Sequence, residues 1–458
     1  MRFYNKKYLF LFFSLSLLAC RKYVENVPIQ GQRVIEYTDD YRMLMNYTDM
    51  LQVAFGMPPI LSCDDLDFTD IVLQNDIKSN VIRTTIYTWG KPFYTGATTS
   101  DNDWDAIYKG IYTFNTVIKD VKNSKNGTES AKDVILGEAL VHRAFSYFML
   151  ANLYGKQYNA ATASQDPAVP LVLEPKLFVD LTRASVQTVY NKIIADTKQA
   201  IPLLPIKQDI NFRPNKASAY ALLSKAYLFM RDFNNALLYA DSTLLLSSEL
   251  YDYNTSPTGY PSQYNNKQVL LRKTSRQTVN VPQLSASLLS LLGTKDLRYA
   301  IFVRPGTAFN PVFTGYGFWS PNRFNGSPDN PAVGLTVNET WLIKAECLAR
   351  AGKRDDALKI LNDFRKFRFS TADYTLLTAT NDDDALRLVI NERRLEFFGS
   401  GLRWFDQRRL DKDALFAQTY TRVLDNVTYT LAPGSNKFVF PFAQLNVSQN
   451  PELIQNPE

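Results

Sequence analysis

The chain has 458 residues, of which 45% are hydrophobic, 21% are charged and 13% are aromatic, a composition typical of a globular protein that buries a large core. Its net charge is +6, from 51 basic and 45 acidic residues that are scattered along the sequence rather than clustered. This charge pattern gives no support to a nucleic-acid-binding function, which calls for a basic patch or stripe.

The first 19 residues have the layout of a secretory signal peptide. A basic segment, residues 2–7, precedes the apolar residues 8–19, which form a run too short to span a bilayer. The run ends in Leu-Leu-Ala before Cys20 and resembles the lipobox of bacterial lipoproteins, so we predict that Cys20 becomes an acylated amino terminus. Acyl chains would anchor the protein to a membrane without a transmembrane helix. The polar residues 20–37 are interpreted as an extended tether.

Helical periodicity of the apolar residues begins near Asp39 and recurs along the N-terminal half of the chain. The pattern predicts a helix over residues 41–51, another that opens at Trp104, and a third over residues 131–154. Residues 56–103 are rich in Pro, Gly, Asp and Thr, so we predict that this segment is mostly loop.

Two later segments, residues 216–248 and 337–367, share a spacing of small and apolar residues. The corresponding positions are Ser224, Tyr227 and Ala236 in the first segment and Ala345, Leu348 and Ala357 in the second. Small residues at this spacing let two antiparallel helices approach closely, as in the tetratricopeptide helix pair. Two unrelated helical hairpins would give the same pattern, so that alternative stays open.

Residues 249–335 interrupt the helical pattern and are rich in Tyr, Asn, Pro and Gly. The short runs 268–271 and 300–304 fit either strand or coil. A long irregular segment inside a compact domain is usually functional, and the aromatic side chains favour that interpretation here. Helical periodicity returns over residues 385–398, and the tail from Val423 onward is predicted to be extended.

The order and spacing of several short motifs resemble the SusD/RagB family of Bacteroidetes outer-membrane proteins over nearly the whole chain. The most specific matches are Asn-Glu-Arg-Arg-Leu-Glu-Phe at residues 391–397 and Gly-Leu-Arg-Trp-Phe-Asp at residues 401–406. The most specific match continues to Arg408-Arg409. The family pattern also includes Trp104–Tyr108 with Asn115, Val169–Leu173, Arg213-Pro214, Ala345-Glu346, Asn362–Arg365, and the ending Asn450–Leu453 with Gln455–Pro457.

This resemblance implies an all-α, tetratricopeptide-like scaffold with long irregular ligand-binding loops and a few short strands. Residues 38–248 and 249–458 would form the N-terminal and C-terminal parts of one compact unit. The family implies non-catalytic binding of an oligosaccharide, or of a peptide in some members, and delivery to a SusC-like TonB-dependent barrel. It also implies a lipid-anchored protein at the cell-surface side of the outer membrane. Arg21 and Lys22 stand where surface-exposed members often carry acidic residues, so orientation stays open.

Catalysis has one candidate pair of residues, Glu392 and Glu396, which lie one helical turn apart. A glycoside hydrolase would need two carboxyl groups facing each other across a cleft. The neighbouring arginines instead favour an ion-pair network, so we predict that the protein is not an enzyme. The single histidine, His142, and two thiols beyond Cys20 give no zinc-type ligand set, and no cofactor-binding motif is present in the sequence. The two thiols, at positions 63 and 347, could be paired or free.

Sugar binding calls for flat apolar faces beside planar polar groups. Residues 311–330 combine both with Gly and Pro, which favour loops. From this segment we predict ligand contacts from Phe313, Tyr316, Phe318, Trp319, Asn322 and Arg323. The family resemblance adds a second segment, from which we predict contacts from Asp64, Asp65, Trp89 and Tyr94. The alternative is that the aromatic segment only covers the helical core, to which we also assign Trp104, Trp341 and Trp404.

Overall fold

The structure is a computed structural model that describes residues 35–96, 98–255, 264, 266–275, 282–320 and 333–457. The predicted signal peptide, Cys20, Asn322 and Arg323 lie outside these residues. The helices of the N-terminal part are α1 (Thr38–Leu44), α2 (Thr48–Leu51), α3 (Met57–Ser62), α4 (Ile71–Lys78), α5 (Val81–Tyr87), α6 (Asn102–Asp120), α7 (Glu129–Tyr154), α8 (Val186–Ala200), α9 (Lys216–Met230) and α10 (Phe233–Leu246). The helices of the C-terminal part are α11 (Ala286–Leu292), α12 (Leu297–Phe302), α13 (Val337–Arg350), α14 (Arg354–Arg365), α15 (Asp382–Phe397), α16 (Leu402–Leu410) and α17 (Gln444–Gln449). Single turns of 3-10 helix lie at Val121–Asn123, Ile201–Leu203, Tyr253–Thr255, Gly306–Ala308 and Asn436–Phe438.

The long helices begin where a short polar side chain accepts hydrogen bonds from the first turn. Asp101 accepts from the amides of residues 103 and 104 at the start of α6, and Thr128 accepts from the amide of residue 131 in α7. Asn215 and Ser218 form a reciprocal capping box at the start of α9. Helix α7 is long and apolar enough to cross a membrane, but 89% of its most apolar window is buried, so it packs as the central core helix.

The predicted repeats are confirmed as two helical hairpins, α9–α10 and α13–α14. Ala236, Ala345 and Ala357 are fully buried where the paired helices meet, and the Ser224 hydroxyl donates to the Ala236 carbonyl at 2.9 Å. Gly352 turns the second hairpin at a φ of +71°, which glycine adopts without steric cost. The helices α6, α7, α8, α9, α10, α13 and α14 pack in succession, as in a helical-repeat scaffold.

The strands are short, and they pair two by two. They are β1 (Val53–Phe55), β2 (Pro167–Pro170), β3 (Arg183–Ser185), β4 (Val269–Leu271), β5 (Thr274–Ser275), β6 (Val303–Pro305), β7 (Gly317–Trp319), β8 (Leu335–Thr336), β9 (Tyr420–Leu424) and β10 (Val427–Leu431). β1 runs parallel to β5, whereas β2–β3, β4–β8, β6–β7 and β9–β10 are antiparallel. The tail predicted to be extended from Val423 begins as the hairpin β9–β10, but the prediction is wrong for Asn436–Phe438 and for α17, which are helical.

The expectation that residues 56–103 are mostly loop is wrong for α3, α4 and α5. Helix α3 carries its prolines in the first turn, where their missing amide hydrogens cost no intrahelical bond. The side chains of Asp70 and Asn80 cap α4 and α5. Proline and aspartate therefore mark helix starts here, and composition alone does not separate such starts from loops.

The charged motif of α15 and α16 forms a buried ion-pair network, as predicted. Arg393 contacts Glu339 at 2.7 Å and Asp406 at 2.8 Å. Arg409 contacts the same aspartate at 2.7 Å and Glu346 at 2.6 Å. Helices α13, α15 and α16 are thus joined through charges that would each be costly to leave unpaired in the interior.

The tryptophans assigned to packing lie in the core. Trp104 and Trp404 are 7% and 0% exposed, and Trp341 is partly buried with its indole N–H donating to the Ser248 carbonyl at 3.1 Å. Both Cys63 and Cys347 are buried free thiols, so they do not form a disulfide with each other in this structure.

Candidate functional site

The two segments from which ligand contacts were predicted lie side by side, joined by the extended residues 282–285. The Ser285 amide donates to the Asp65 carbonyl at 2.8 Å, and the Leu284 amide donates to the Gly317 carbonyl at 2.9 Å. Residues 282–285 are thus hydrogen-bonded to the segment after α3 on one side and to strand β7 on the other. Residues about 220 positions apart in sequence become neighbours through these bonds.

A cleft of about 220 Å³ opens beside this junction, and we call it the Asp64 cleft. Its other walls come from α11 and from the start of hairpin β9–β10. The polar side chains that line it include Asp64, Asp67, Ser285, Ser287, Thr419 and Tyr420. Carboxylates and hydroxyls therefore dominate the cleft.

Asp64 is held as a charged acceptor at the edge of the cleft. The Arg403 guanidinium grips its two carboxylate oxygens at 2.7 and 2.9 Å, and Arg394 approaches to 3.6 Å. Burial alone would raise its pKa, but these guanidiniums outweigh burial and lower the pKa of Asp64 to about 2. Its side chain keeps 19% of its surface exposed, so an ionised, oriented carboxylate faces the cleft at any physiological pH.

Asp65 lies behind the cleft instead of in it, which corrects the expectation that it contacts ligand. It is fully buried, and the Arg394 Nε donates to its Oδ1 at 3.0 Å. Burial raises the pKa of Asp65 in spite of this arginine. Its role is to position Arg394, which in turn contacts Asp64.

Trp89 forms a wall of the cleft but presents no free ring face. It is 3% exposed, its indole N–H donates to the Ser62 carbonyl at 2.9 Å, and the Arg422 guanidinium lies 4.5 Å from its ring. Its φ of +54° lies in the left-handed region, where a residue of this size costs about 1–2 kcal/mol. Strained residues of this kind persist only where the surrounding structure holds them in place, and they are common at functional sites.

Arg422 fixes this wall from hairpin β9–β10. Its guanidinium donates to the carbonyls of Leu61 and Tyr87, both at 2.6 Å, and to that of Cys63.

Tyr94 lies away from this wall, half-buried against Phe93 and the core. The structure therefore does not bring Tyr94 to the Asp64 cleft.

The predicted aromatic contacts divide into core and surface. Phe318 and Phe313 are 0% and 4% exposed and pack against each other at 5.7 Å, so these two rings serve the core and correct the expectation for them. Tyr316 and Trp319 remain partly exposed. The Trp319 ring packs directly against the backbone of Gly399. A Cβ atom added to that glycine would lie 2.4 Å from the ring and would clash with it. Trp319 is thus held in one place with part of its surface open.

Glu392 and Glu396 do not face a cleft. Glu392 is paired with Arg298 at 2.6 Å, and Glu396 is paired with Arg368 at 2.7 Å. The side chains of Glu392 and Glu396 are 4% and 1% exposed, and their oxygens are occupied by these and neighbouring guanidiniums. Their geometry is that of a structural ion-pair network.

Sequence reasoning missed most of the cleft wall opposite Asp64. Ser285, Ser287 and Tyr420 lie in segments without a distinctive local pattern. Arg403 belongs to the family motif at residues 401–406, and its partner Asp64 lies 339 positions away in sequence. A local pattern cannot reveal a pair at such a separation.

The fold is a helical-repeat scaffold of packed hairpins, and it carries a cleft lined mainly by carboxylates and hydroxyls. Two family profiles match the chain, one described as starch-binding associating with outer membrane over residues 63–228 and one described as SusD family over residues 337–458. The chain belongs to the SusD/RagB family.

Curated relatives and solved structures agree with this assignment. The SusD-like protein P2 of Formosa agariphila is 24% identical over 67% of this chain and 71% of its own length. A SusD superfamily structure from Bacteroides thetaiotaomicron matches with a TM-score of 0.74 at 20% identity, over 92% of this chain and all of that one. A structure described as a laminarin-binding SusD-like protein matches with a TM-score of 0.66 at 18% identity, over 92% and 99% of the two chains. The all-α fold with few short strands is therefore confirmed.

Proposed function

We propose that this protein binds an oligosaccharide at the Asp64 cleft and the adjoining Trp319 surface, without cleaving it. The observation that carries the proposal is the fixed, ionised Asp64 carboxylate in a cleft lined by hydroxyls. A carboxylate held in one orientation accepts hydrogen bonds from sugar hydroxyls with little loss of conformational freedom on binding.

The size and chemistry of the site favour a sugar chain that extends beyond the cleft. A cleft of about 220 Å³ lies below the ~300–1,000 Å³ usual for drug-sized ligands, so it holds only part of an oligosaccharide. The exposed part of Trp319 supplies an apolar surface on the other side of residues 282–285. A pyranose ring stacked there would continue a chain whose hydroxyls reach Asp64.

The cellular role proposed here rests on family membership. The protein would be anchored to the outer membrane through acylated Cys20 and would deliver its ligand to a SusC-like TonB-dependent barrel. The matched profile's description, which associates the family with the outer membrane and with starch, supports this role. The laminarin-binding neighbour supports a glucan as one ligand to test first.

Calorimetric titration of the protein from Arg21 onward tests the binding proposal. The titrants are laminarin oligosaccharides, maltoheptaose and a mixture of short peptides. We expect heat with at least one glycan, and at least a tenfold loss of affinity in Trp319→Ala, which corresponds to about 1.4 kcal/mol. Phe178→Ala is the matched control, because that ring is 96% exposed and lies outside the cleft. Heat with the peptides and with none of the glycans would indicate that the ligand is a peptide and not a sugar.

A further inference from the structure

The Asp64 cleft presents hydrogen-bond acceptors to a molecule that enters it. Arg403 holds the Asp64 carboxylate, and each of its oxygens can still accept a further hydrogen bond. Asp67 lines the same cleft, is partly exposed, and accepts from the Tyr87 hydroxyl at 3.2 Å through its Oδ1. It forms no ion pair with any residue that the structure describes, and no described side chain donates to its Oδ2. Asp67 is therefore a carboxylate whose charge no described arginine pairs directly.

The main N–H donors in the cleft wall are directed to the protein itself. The Arg422 guanidinium lines the cleft, but the residue is 5% exposed and its terminal nitrogens donate to backbone carbonyls. The rings of Tyr87 and Trp89 lie 4.3 and 4.5 Å from this guanidinium, and the Trp89 indole N–H also donates to a backbone carbonyl. The Ser285 hydroxyl donates to the Asp64 carbonyl at 2.9 Å. A ligand therefore meets mainly oxygen atoms that accept hydrogen bonds.

Two further arginines lie behind the wall, and both are paired. The side chains of Arg394 and Arg403 are 11% and 9% exposed, and neither lines the cleft. Arg394 contacts Asp65 at 3.0 Å, and Arg403 contacts Asp64 at 2.7 Å. Neither arginine therefore offers an unpaired positive charge to the cleft.

This arrangement distinguishes sugars by their charge. A sugar hydroxyl can donate to the carboxylate oxygens of Asp64 or Asp67. A carboxylate or sulfate group on the sugar can only accept, and in this cleft it would lie against the Asp67 carboxylate, whose like charge repels it. Removing such a group from water without giving it a donor adds a further cost. Repulsion by an unpaired charge is one way in which a binding site discriminates between ligands.

We propose that the Asp64 cleft accepts an uncharged, hydroxyl-bearing sugar ring and rejects a ring that carries a carboxylate or sulfate, with Asp67 as the specificity-determining residue. The inference rests on the proposed function and adds to it the chemical class of the glycan. The ring that enters the cleft belongs to a neutral glycan, such as a glucan, and not to a polyuronate or a sulfated polysaccharide.

The test titrates the protein from Arg21 onward with laminarin oligosaccharides and maltoheptaose, each in two forms. One form is neutral, and in the other the C6 hydroxymethyl groups are oxidised to carboxylates. Linkage and length stay the same, so the ratio of the two dissociation constants reports the effect of the charge. Calorimetry at pH 8 keeps Asp67 ionised although burial raises its pKa. We expect the neutral form of at least one glucan to bind at least tenfold more tightly than its oxidised form.

Asp67→Asn removes the charge but keeps the size of the side chain and its acceptor for the Tyr87 hydroxyl. This variant should reduce the ratio at least threefold. The matched control, Asp49→Asn, makes the same change of charge at an exposed aspartate outside the cleft and should keep the wild-type ratio. Salt gives a second readout on the wild type. Raising its concentration from about 0.02 M to about 0.5 M screens partly exposed charges, so the wild-type ratio should fall.

Equal affinity of the wild type for the two forms, or tighter binding of the oxidised form, would overturn the inference while the proposed function holds. A ratio that Asp67→Asn leaves unchanged, or that salt leaves unchanged, would also overturn it, because the discrimination would then arise elsewhere. Absence of binding by both forms of both glucans would overturn the proposed function together with this inference.

Discussion

Lys273 is a buried amine without a carboxylate partner among the described residues, and this makes the stability of the protein depend on pH. Its side chain is 0% exposed and donates to the Leu51 carbonyl, with the His142 Nδ1 at 3.0 Å and the Phe145 ring centroid at 5.1 Å. Burial lowers the pKa of Lys273 to about 7, whereas an unfolded lysine has a pKa of about 10.4. Between these values the unfolded chain holds a proton that the folded chain has lost.

The free energy of unfolding therefore rises with pH through this window. For a pKa of about 7 in the folded protein, the linkage relation gives a gain of about 3 kcal/mol between pH 6 and pH 9. Lys273→Met removes this gain, so the difference in stability between variant and wild type should change by about that amount over the same range.

The assay is urea unfolding of both proteins at pH 6, 7, 8 and 9. Comparing the two cancels the titrating groups that do not contact Lys273. His142 does contact it, but burial is the larger cause of the lowered pKa of His142 and is present in both proteins. Lys207→Met is the matched control, because Lys207 is exposed, and its stability should follow the wild type at every pH. Parallel curves for Lys273→Met and the wild type would contradict this prediction, since they would mean that Lys273 keeps its proton in the folded chain up to pH 9.

Three further predictions concern packing, the ligand surface and the anchor. Glu396→Gln should lower the free energy of unfolding, measured by urea titration, by about 3–5 kcal/mol, because buried guanidiniums lose their partner. Unchanged stability would contradict this structural role, and so would glycan cleavage by the wild type that the variant abolishes. Gly399→Ala should weaken oligosaccharide titration heats because its Cβ would displace Trp319, whereas Gly434→Ala, at a similar φ of +73° with open space around it, should bind normally. Cys20→Ala should abolish incorporation of labelled palmitate and release the protein from membranes; retained label would refute lipidation at that residue.

Much of the scaffold could be predicted from the sequence because its signals are local. The spacing of Ser224 and Ala236, and of Ala345 and Ala357, reflects contacts between helices adjacent in the chain. The charges of α15 likewise predict an ion-pair network, since so many could not be buried singly. The helices α3 to α5 were missed because prolines and aspartates mark both loops and helix starts.

The candidate site could be predicted only in outline. Trp319 was identified by residue type and Asp64 through the family resemblance, but the stretch that joins their segments carries no signal of its own. Whether a ring belongs to the core or to the surface depends on strand orientation, which placed Phe318 inside and left Trp319 partly open.

The most direct test of the central claim is a crystal structure of the mature protein with the oligosaccharide that gives the largest titration heat. We predict one sugar ring against the indole of Trp319 and a hydroxyl of the same oligosaccharide within 3.2 Å of an Asp64 carboxylate oxygen. An oligosaccharide bound with neither contact would contradict the assignment of the site.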